Sequence, residues 1–292
     1  MLQKRIFACL AALLLLFPLP ALADGAAEAA PGAEDASAEA AFQKERMEAL
    51  TKQLLTYGNF EDESAARARA EEFPLDPDKP MIALTFDDGP VAGVTDKILD
   101  ILSKHNAQAT FFICGWRIKR APELLTRTLA EGNELGNHTY NHENLKKLKS
   151  KEIYATVKST NRAIEDVTGV TPKLLRPPGG ACGNGPGAAK HLGMIVVLWS
   201  QSGNVHLTNP DEIVSTVFRQ PVNGRELQSG DIVLLHDTHD YMVEAVEKLV
   251  PALQEAGYQL VTVSDLLHYA ECGFIPGATY RSQTAGSRMK KG

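Results

Sequence analysis

Met81-Ile-Ala-Leu-Thr-Phe-Asp-Asp-Gly-Pro90 is an apolar run that ends in two carboxylates and a turn. Met81 to Phe86 reads as a buried strand. Strand side chains alternate between faces, but at the frayed end Asp87 and Asp88 can both reach one mouth. One carboxylate is then free to hold a metal while the other moves protons. Gly89-Pro90 stops the strand with turn chemistry. Taken alone, the same stretch also fits a solvated turn.

Outward from this run the pattern alternates. Strand candidates lie near 81–86, 109–113, 133–136, 173–175, 194–199, 231–235 and 258–262. Helical periodicity falls between most of them, over Thr95–Lys104, Pro122–Ala130, Lys151–Thr168, Pro210–Phe218 and Met242–Glu255. Such alternation implies an α/β domain with a parallel sheet and crossover helices.

Three further stretches carry chemistry. His138-Thr-Tyr-Asn-His142 spaces two imidazoles four residues apart, which on one helical turn puts them on the same face. Two histidines and one carboxylate suit a catalytic zinc with a position open to water. Lys173-Leu-Leu-Arg-Pro-Pro-Gly-Gly180 reads as a short strand and a rigid turn bearing one cation, Arg176. Asp231-Ile-Val-Leu-Leu-His-Asp237 reads as a buried strand that delivers His236 at its C-terminal end. Strands that each present one polar group at the same end are how α/β barrels build active sites.

In this order the residues resemble the polysaccharide deacetylase family, the NodB-homology or family 4 carbohydrate esterases. The resemblance covers roughly residues 79–270 and rests on Thr85–Pro90, His138–His142 and Leu234–Asp237. It implies an incomplete (β/α) barrel, a distorted TIM-like fold of about seven strands. It implies that Asp88, His138 and His142 hold the metal, that Asp87 is the general base and Arg176 its support, and that His236 is the general acid. The backbone N–H of Gly179 is the implied oxyanion donor beside the metal. The implied cofactor is zinc, with cobalt, nickel or manganese also compatible with the donors. The implied substrate is an extracellular N-acetylated polysaccharide, peptidoglycan N-acetylglucosamine first and chitin-type oligomers next. An O-acetyl xylan esterase and a weakly catalytic glycan binder are the alternatives. The chain departs from the family pattern in two places. Gly179 and Cys182 stand where aromatics are usual, and Ser202, Val205 and His206 stand where two aspartates and a tryptophan are usual.

The remainder bounds the setting. Lys4 and Arg5, the apolar Ile6–Phe17 and Ala21-Leu-Ala23 form a secretory signal pattern over 1–23. Its apolar core is shorter than the roughly 20 residues of a spanning helix. Export and cleavage near Ala23 are therefore expected, with no stable membrane span. Removing 1–23 leaves 28 Lys plus Arg against 36 Asp plus Glu, a net charge of about −8. No basic-aromatic interleaving suggests nucleic acid. Residues 24–38 read as a flexible acidic, alanine-rich linker. Within a helical extension over 39–78, Met47, Leu50, Leu54 and Tyr57 form one apolar stripe. Cys114, Cys182 and Cys272 lack any C-x-x-C spacing and allow one disulfide plus a thiol. Residues 271–292 read as a solvated tail.

Overall fold

The structure is a computed structural model that describes residues 73–76, 78–203, 206–220, 224–269 and 275–282. The signal pattern, the linker, the helix expected over 39–57, Val205 and Cys272 lie outside the described residues. The elements run β1 (Met81–Asp87), α1 (Thr95–Lys104), β2 (Ala109–Ile113), α2 (Pro122–Ala130), β3 (Glu134–Asn137), α3 (Ser150–Thr168), β4 (Leu174–Leu175) and α4 (Gly185–His191). They continue with β5 (Ile195–Val197), β6 (Gln201–Ser202), α5 (Pro210–Phe218), β7 (Ile232–His236), α6 (Asp240–Glu255), β8 (Gln259–Leu260), α7 (Val263–Tyr269) and β9 (Thr279–Tyr280).

The strands pair in parallel in the order β6-β7-β1-β2-β3-β4-β5-β9, with β8 beside the start of β1. β5 pairs with β4, and β6, a few residues later, pairs with β7. One short stretch of chain thus joins the two flanks, and the sheet curls into an incomplete (β/α) barrel, as the resemblance implied.

The period-2 alternation of β1 decides what lies on each side. Ile82, Leu84 and Phe86 pack outward among the helices, with Ile98, Leu102, Val246 and Leu249. Met81 and Ala83 pack on the other side with Phe112, Ile195, Val197 and Ile232. Both faces of the sheet are therefore covered, which is why its strands read as continuous apolar runs. On α6 the buried residues Met242, Ala245, Val246, Leu249, Val250 and Leu253 recur at helical spacing and form the stripe that lies on the barrel.

Two expectations need correction. Residues 138–142 form no helix; they are an irregular loop after β3, with left-handed backbone at Thr139 (φ 65°) and His142 (φ 57°) that a right-handed helix cannot accommodate. The solvated reading of 271–292 fails for 275–282. Thr279 and Tyr280 pair with Val196 and Val197, Ser282 bridges to Asp231, and Tyr280 is fully buried. A two-residue strand shows no period, and the cations around it pointed to solvent. The short elements α4, β6, α7 and β9 escaped the sequence reading for the same reason.

At the opposite end of the strands from the site described below, Glu134 ties β2, β3 and α7 together. It accepts from Thr110 Oγ1 at 3.0 Å, from Ser264 N at 3.1 Å and from Ser264 Oγ. Burial pushes its carboxyl up to about 7, against the pull of these donors. A raised acid contributes stability that is fully present below its ordinary value near 4.5 and is lost as pH rises through 7. Urea unfolding at pH 5 and 7.5 should therefore show a larger loss in the wild type than in Glu134→Gln, which keeps only the share of the raised Asp237 carboxyl; parallel profiles would refute the assignment. Tyr280→Ala should cost about 3–5 kcal/mol in the same assay, the range for emptying a buried aromatic site. A variant as stable as the wild type would return 275–282 to the status of a tail.

Candidate active site

Because the strands are parallel, their carboxyl ends meet on one side. Asp87 closes β1 and pairs in register with His236 at the end of β7. His138 directly follows β3 and Arg176 directly follows β4. Asp87 shares the face of Met81 and Ala83, so strand alternation alone turns it inward. Asp88 reaches the same mouth differently, through a left-handed backbone (φ 76°) that ends the strand. Gly89 then passes so close to the Asp237 carboxylate that a Cβ would lie 2.2 Å from Oδ2.

Arg176 is fully buried, and every part of it is used. Nη1 donates to Asp87 Oδ1 at 2.8 Å and to Thr85 Oγ1 at 2.6 Å. Nη2 donates to Leu198 O at 3.1 Å and Nε to Val197 O at 3.3 Å. The guanidinium carbon lies 4.0 Å from the Phe112 ring centroid. The main chain of Arg176 acts as well: its N–H donates to Asn137 O at 2.9 Å, and its carbonyl accepts from His138 Nδ1 at 2.7 Å. A carbonyl can only accept, so Nδ1 carries the proton and Nε2 presents a lone pair.

That lone pair faces Asp88. His138 Nε2 lies 3.4 Å from Asp88 Oδ1, and His142 Nε2 lies 3.3 Å from the same oxygen. Ligands about 2.0–2.2 Å from one tetrahedral centre sit roughly 3.3–3.5 Å from each other, so both separations suit a zinc-like ion. The three donor atoms lie within 4.8 Å of one another. Three donors converging in this way fit a divalent cation between them. Burial opposes charge on Asp88, yet with the imidazoles protonated the hydrogen bond from His138 and the positive potential of His138 and His142 outweigh it and hold its carboxyl well below the usual range; a bound cation facing the neutral rings would take over that role. The loop is built for this shape. Asn137 Oδ1 accepts from Thr139 N at 2.8 Å, Thr139 Oγ1 accepts from Glu143 N at 3.1 Å, and Thr156 Oγ1 accepts from Tyr140 N at 2.9 Å.

The support for His236 is less regular. Burial lowers its pKa, against the pull of Asp87 and Asp88. Asp231 sits at the far end of β7, held by Arg225 at 2.7 Å and Ser200 at 2.7 Å. Asp237 turns to Thr95 Oγ1 instead, and burial pushes its carboxyl up to about 7. Ser202 lies on β6 in register with Leu234, its hydroxyl buried without a partner among the described residues. Gly179 has φ 59° and open space where a Cβ would stand, so no side chain obstructs its backbone. Cys114 and Cys182 are free thiols. Trp116 and Arg117, which line the cavity at Asp88 and His142, were not singled out in the sequence. Their signal was position, just past the carboxyl end of β2.

The description "Polysaccharide deacetylase" matches residues 75–197. A peptidoglycan-N-acetylglucosamine deacetylase of Bacillus cereus is 38% identical over 205 residues, which are 65% of this chain and 89% of that protein. The chain belongs to the polysaccharide deacetylase family. The peptidoglycan-N-acetylmuramic acid deacetylase PdaC of Bacillus subtilis is 39% identical over 197 residues, 67% of this chain and 40% of that protein. The chain therefore spans less than half the length of that family member. The solved structure of PdaC superposes with a TM-score of 0.62 at 37% identity, over 68% of this chain and 95% of that one. A family 4 acetyl xylan esterase from Clostridium thermocellum, solved with a cobalt ion, matches with a TM-score of 0.61 at 28% identity, over 69% of this chain and 98% of the other. Among the described residues no helix is long and apolar enough to cross a membrane.

Removing the guanidinium should be costly, because it leaves Asp87 buried without the donor to Oδ1, with only His138 Nε2 3.6 Å from Oδ2. Arg176→Met is expected to lose about 3–5 kcal/mol in urea unfolding. Arg176→Lys should recover only part of that, since an ammonium cannot serve four acceptors in a planar fork. Wild-type stability in the methionine variant would show that the pair is not a structural element.

Proposed function

We propose that the protein is a metal-dependent deacetylase that hydrolyses N-acetyl groups of an amino-sugar polymer, with peptidoglycan as its substrate. The observation that carries this reading is the pairing of roles at one mouth. Asp88, His138 and His142 converge as an ion-binding set, while Asp87 beside them is held by Arg176 in a position to move protons. Relatives named for deacetylation of N-acetylglucosamine and N-acetylmuramic acid in peptidoglycan support the substrate class. The signal pattern over 1–23 supports action outside the cytoplasm.

A bound divalent ion would polarise the acetyl carbonyl and lower the pKa of water, toward about 7 for zinc. Zinc is the first choice; cobalt, nickel and manganese also suit two imidazoles and a carboxylate. Asp87 takes the proton from the attacking water as its oxygen bonds to the acetyl carbon. Arg176 holds Asp87 in place through its hydrogen bond to Oδ1. The N–H of Gly179 stabilises the negative oxygen that develops on the acetyl group. His236, across the strand pair from Asp87, gives a proton to the sugar nitrogen as the carbon–nitrogen bond breaks. Acetate and the free amine leave.

Acetate release from purified peptidoglycan and from chitooligosaccharides tests the reading, with zinc- or cobalt-loaded protein beside a chelated control. Release should require metal. Asp87→Asn and His236→Ala should each lower kcat by about 10²–10⁴-fold, the contribution of a positioned acid or base. Full turnover in both variants, or release that chelation leaves untouched, would remove the assigned roles.

A further inference from the structure

The metal-binding set opens on a cavity of about 550 Å³, lined by Asp88, Cys114, Trp116, Arg117, Asn141 and His142. Its far wall differs in character from its floor. Trp116 and Arg117 lie on a short 3-10 connector, Gly115–Arg120, that follows β2. The connector is bonded to the loop that carries the two histidines: Gly115 N donates to Thr139 O at 3.0 Å and Trp116 N to Tyr140 O at 2.9 Å. Thr139 and Tyr140 lie between His138 and His142, so the wall is held in fixed relation to the metal-binding atoms.

Arg117 has the features of a cation waiting for an anion. Among the described residues its Nε is buried without an acceptor, so no protein carboxylate competes for the guanidinium there. Its guanidinium carbon lies 4.6 Å from the Trp116 ring centroid, as does that of Arg120, and stacking fixes the plane of the fork. Glu143, the acid that follows the histidine loop, is turned to other donors: Oε2 accepts from Asn141 N and Oε1 from Thr156 Oγ1, each at 2.9 Å. Among the described residues Asp88 is the one carboxylate lining the cavity, and it faces the two imidazoles. A divalent ion on Asp88, His138 and His142 would leave the cavity strongly positive.

We propose that Trp116 and Arg117 form a recognition wall that selects an acylamino sugar bearing a carboxylate beside its acetamide. A lactyl ether on the neighbouring ring carbon, as in N-acetylmuramic acid, has this chemistry. The planar fork of Arg117 takes the carboxylate in charge-assisted hydrogen bonds, and Trp116, stacked on that guanidinium, fixes the plane in which the fork is presented. The inference rests on the deacetylase reading for its orientation, which sets the acetamide at Asp88 and His142 in the cavity that Arg117 also lines. Asn141, on the same loop as the histidines, also lines the cavity.

Two measurements separate this proposal from the reading beneath it. The first is equilibrium binding of N-acetylmuramic acid and N-acetylglucosamine to zinc-loaded wild type, Arg117→Gln and Arg117→Lys by calorimetry, which needs no turnover. The wild type should prefer the acidic sugar by about 10–100-fold, the value of one charge-assisted contact. Arg117→Gln should lose that preference, and Arg117→Lys should keep part of it. The second is the ratio of kcat/KM for muramic-acid-containing glycan over a chitooligosaccharide, which should fall by a similar factor in Arg117→Gln. Equal binding of the two sugars by the wild type, or a preference that survives in Arg117→Gln, overturns the wall. A binding preference that depends on Arg117, together with no acetate release from any substrate, would keep the wall and defeat the deacetylase reading.

Discussion

The buried pair of Arg176 and Asp87 is the constraint around which the rest of the site is arranged. A carboxylate and a guanidinium removed from water each incur several kcal/mol of desolvation, which their attraction offsets only if every remaining donor is matched. Here the match is nearly complete, and it is made by the fold itself. Thr85 on β1, the carbonyls of Val197 and Leu198 at the end of β5, and Phe112 on β2 each take one side of the guanidinium. Thr85 passes the connection on, since its hydroxyl donates to Val233 O on β7 at 2.6 Å. The interior of the barrel mouth is thus organised around a cation, which could not be buried there unless four strands converged on it.

The same residue also governs the metal-binding side. By accepting from His138 Nδ1, the Arg176 carbonyl decides which imidazole nitrogen faces Asp88. A ligand whose outer nitrogen is fixed in this way is both oriented and made a better donor. The proposed base and one proposed ligand are therefore set by the side chain and the main chain of a single residue. Left-handed backbone at Asp88, Thr139 and His142, of order 1–3 kcal/mol each, is tolerated because these surroundings over-determine it.

What the sequence showed and what it hid divide along physical lines. Long apolar runs such as Met81–Phe86 and Ile232–Leu235 were legible because a strand buried on both faces leaves a continuous signature. The ends of those runs then named Asp87, Asp88, Arg176 and His236, because a parallel sheet brings its carboxyl ends together. His138 and His142 were rightly read as neighbours, but for a wrong reason. Four-residue spacing suggested a helical turn, whereas side-chain bonds from Asn137 and Thr139 fold the loop instead, and such bonds have no periodic trace. The tail was misread because Tyr280 is anchored by β5, more than eighty positions earlier in the chain. Nothing local marks it as buried. Trp116 and Arg117 were missed for a similar reason: their importance lies in two backbone bonds to the histidine loop, which composition does not record.

This division has a consequence for how the family's chemistry can be retuned. The groups proposed to act on the acetamide stand on strand ends or are bonded to them, so a change there disturbs the buried pair and the fold with it. The wall formed by Trp116 and Arg117 stands on a connector, where side chains can change without touching the sheet. Its backbone is nevertheless tied to the segment between the two histidines, so a ligand held by Arg117 is placed relative to the metal-binding atoms without an intervening flexible joint. Recognition that far forward in the mouth also offers a physical answer to the residues this chain lacks. With Gly179 and Cys182 in place of aromatic walls, a charged contact beside the acetamide can supply the orientation that stacking along the groove would otherwise provide, because a planar ionic fork constrains both distance and angle.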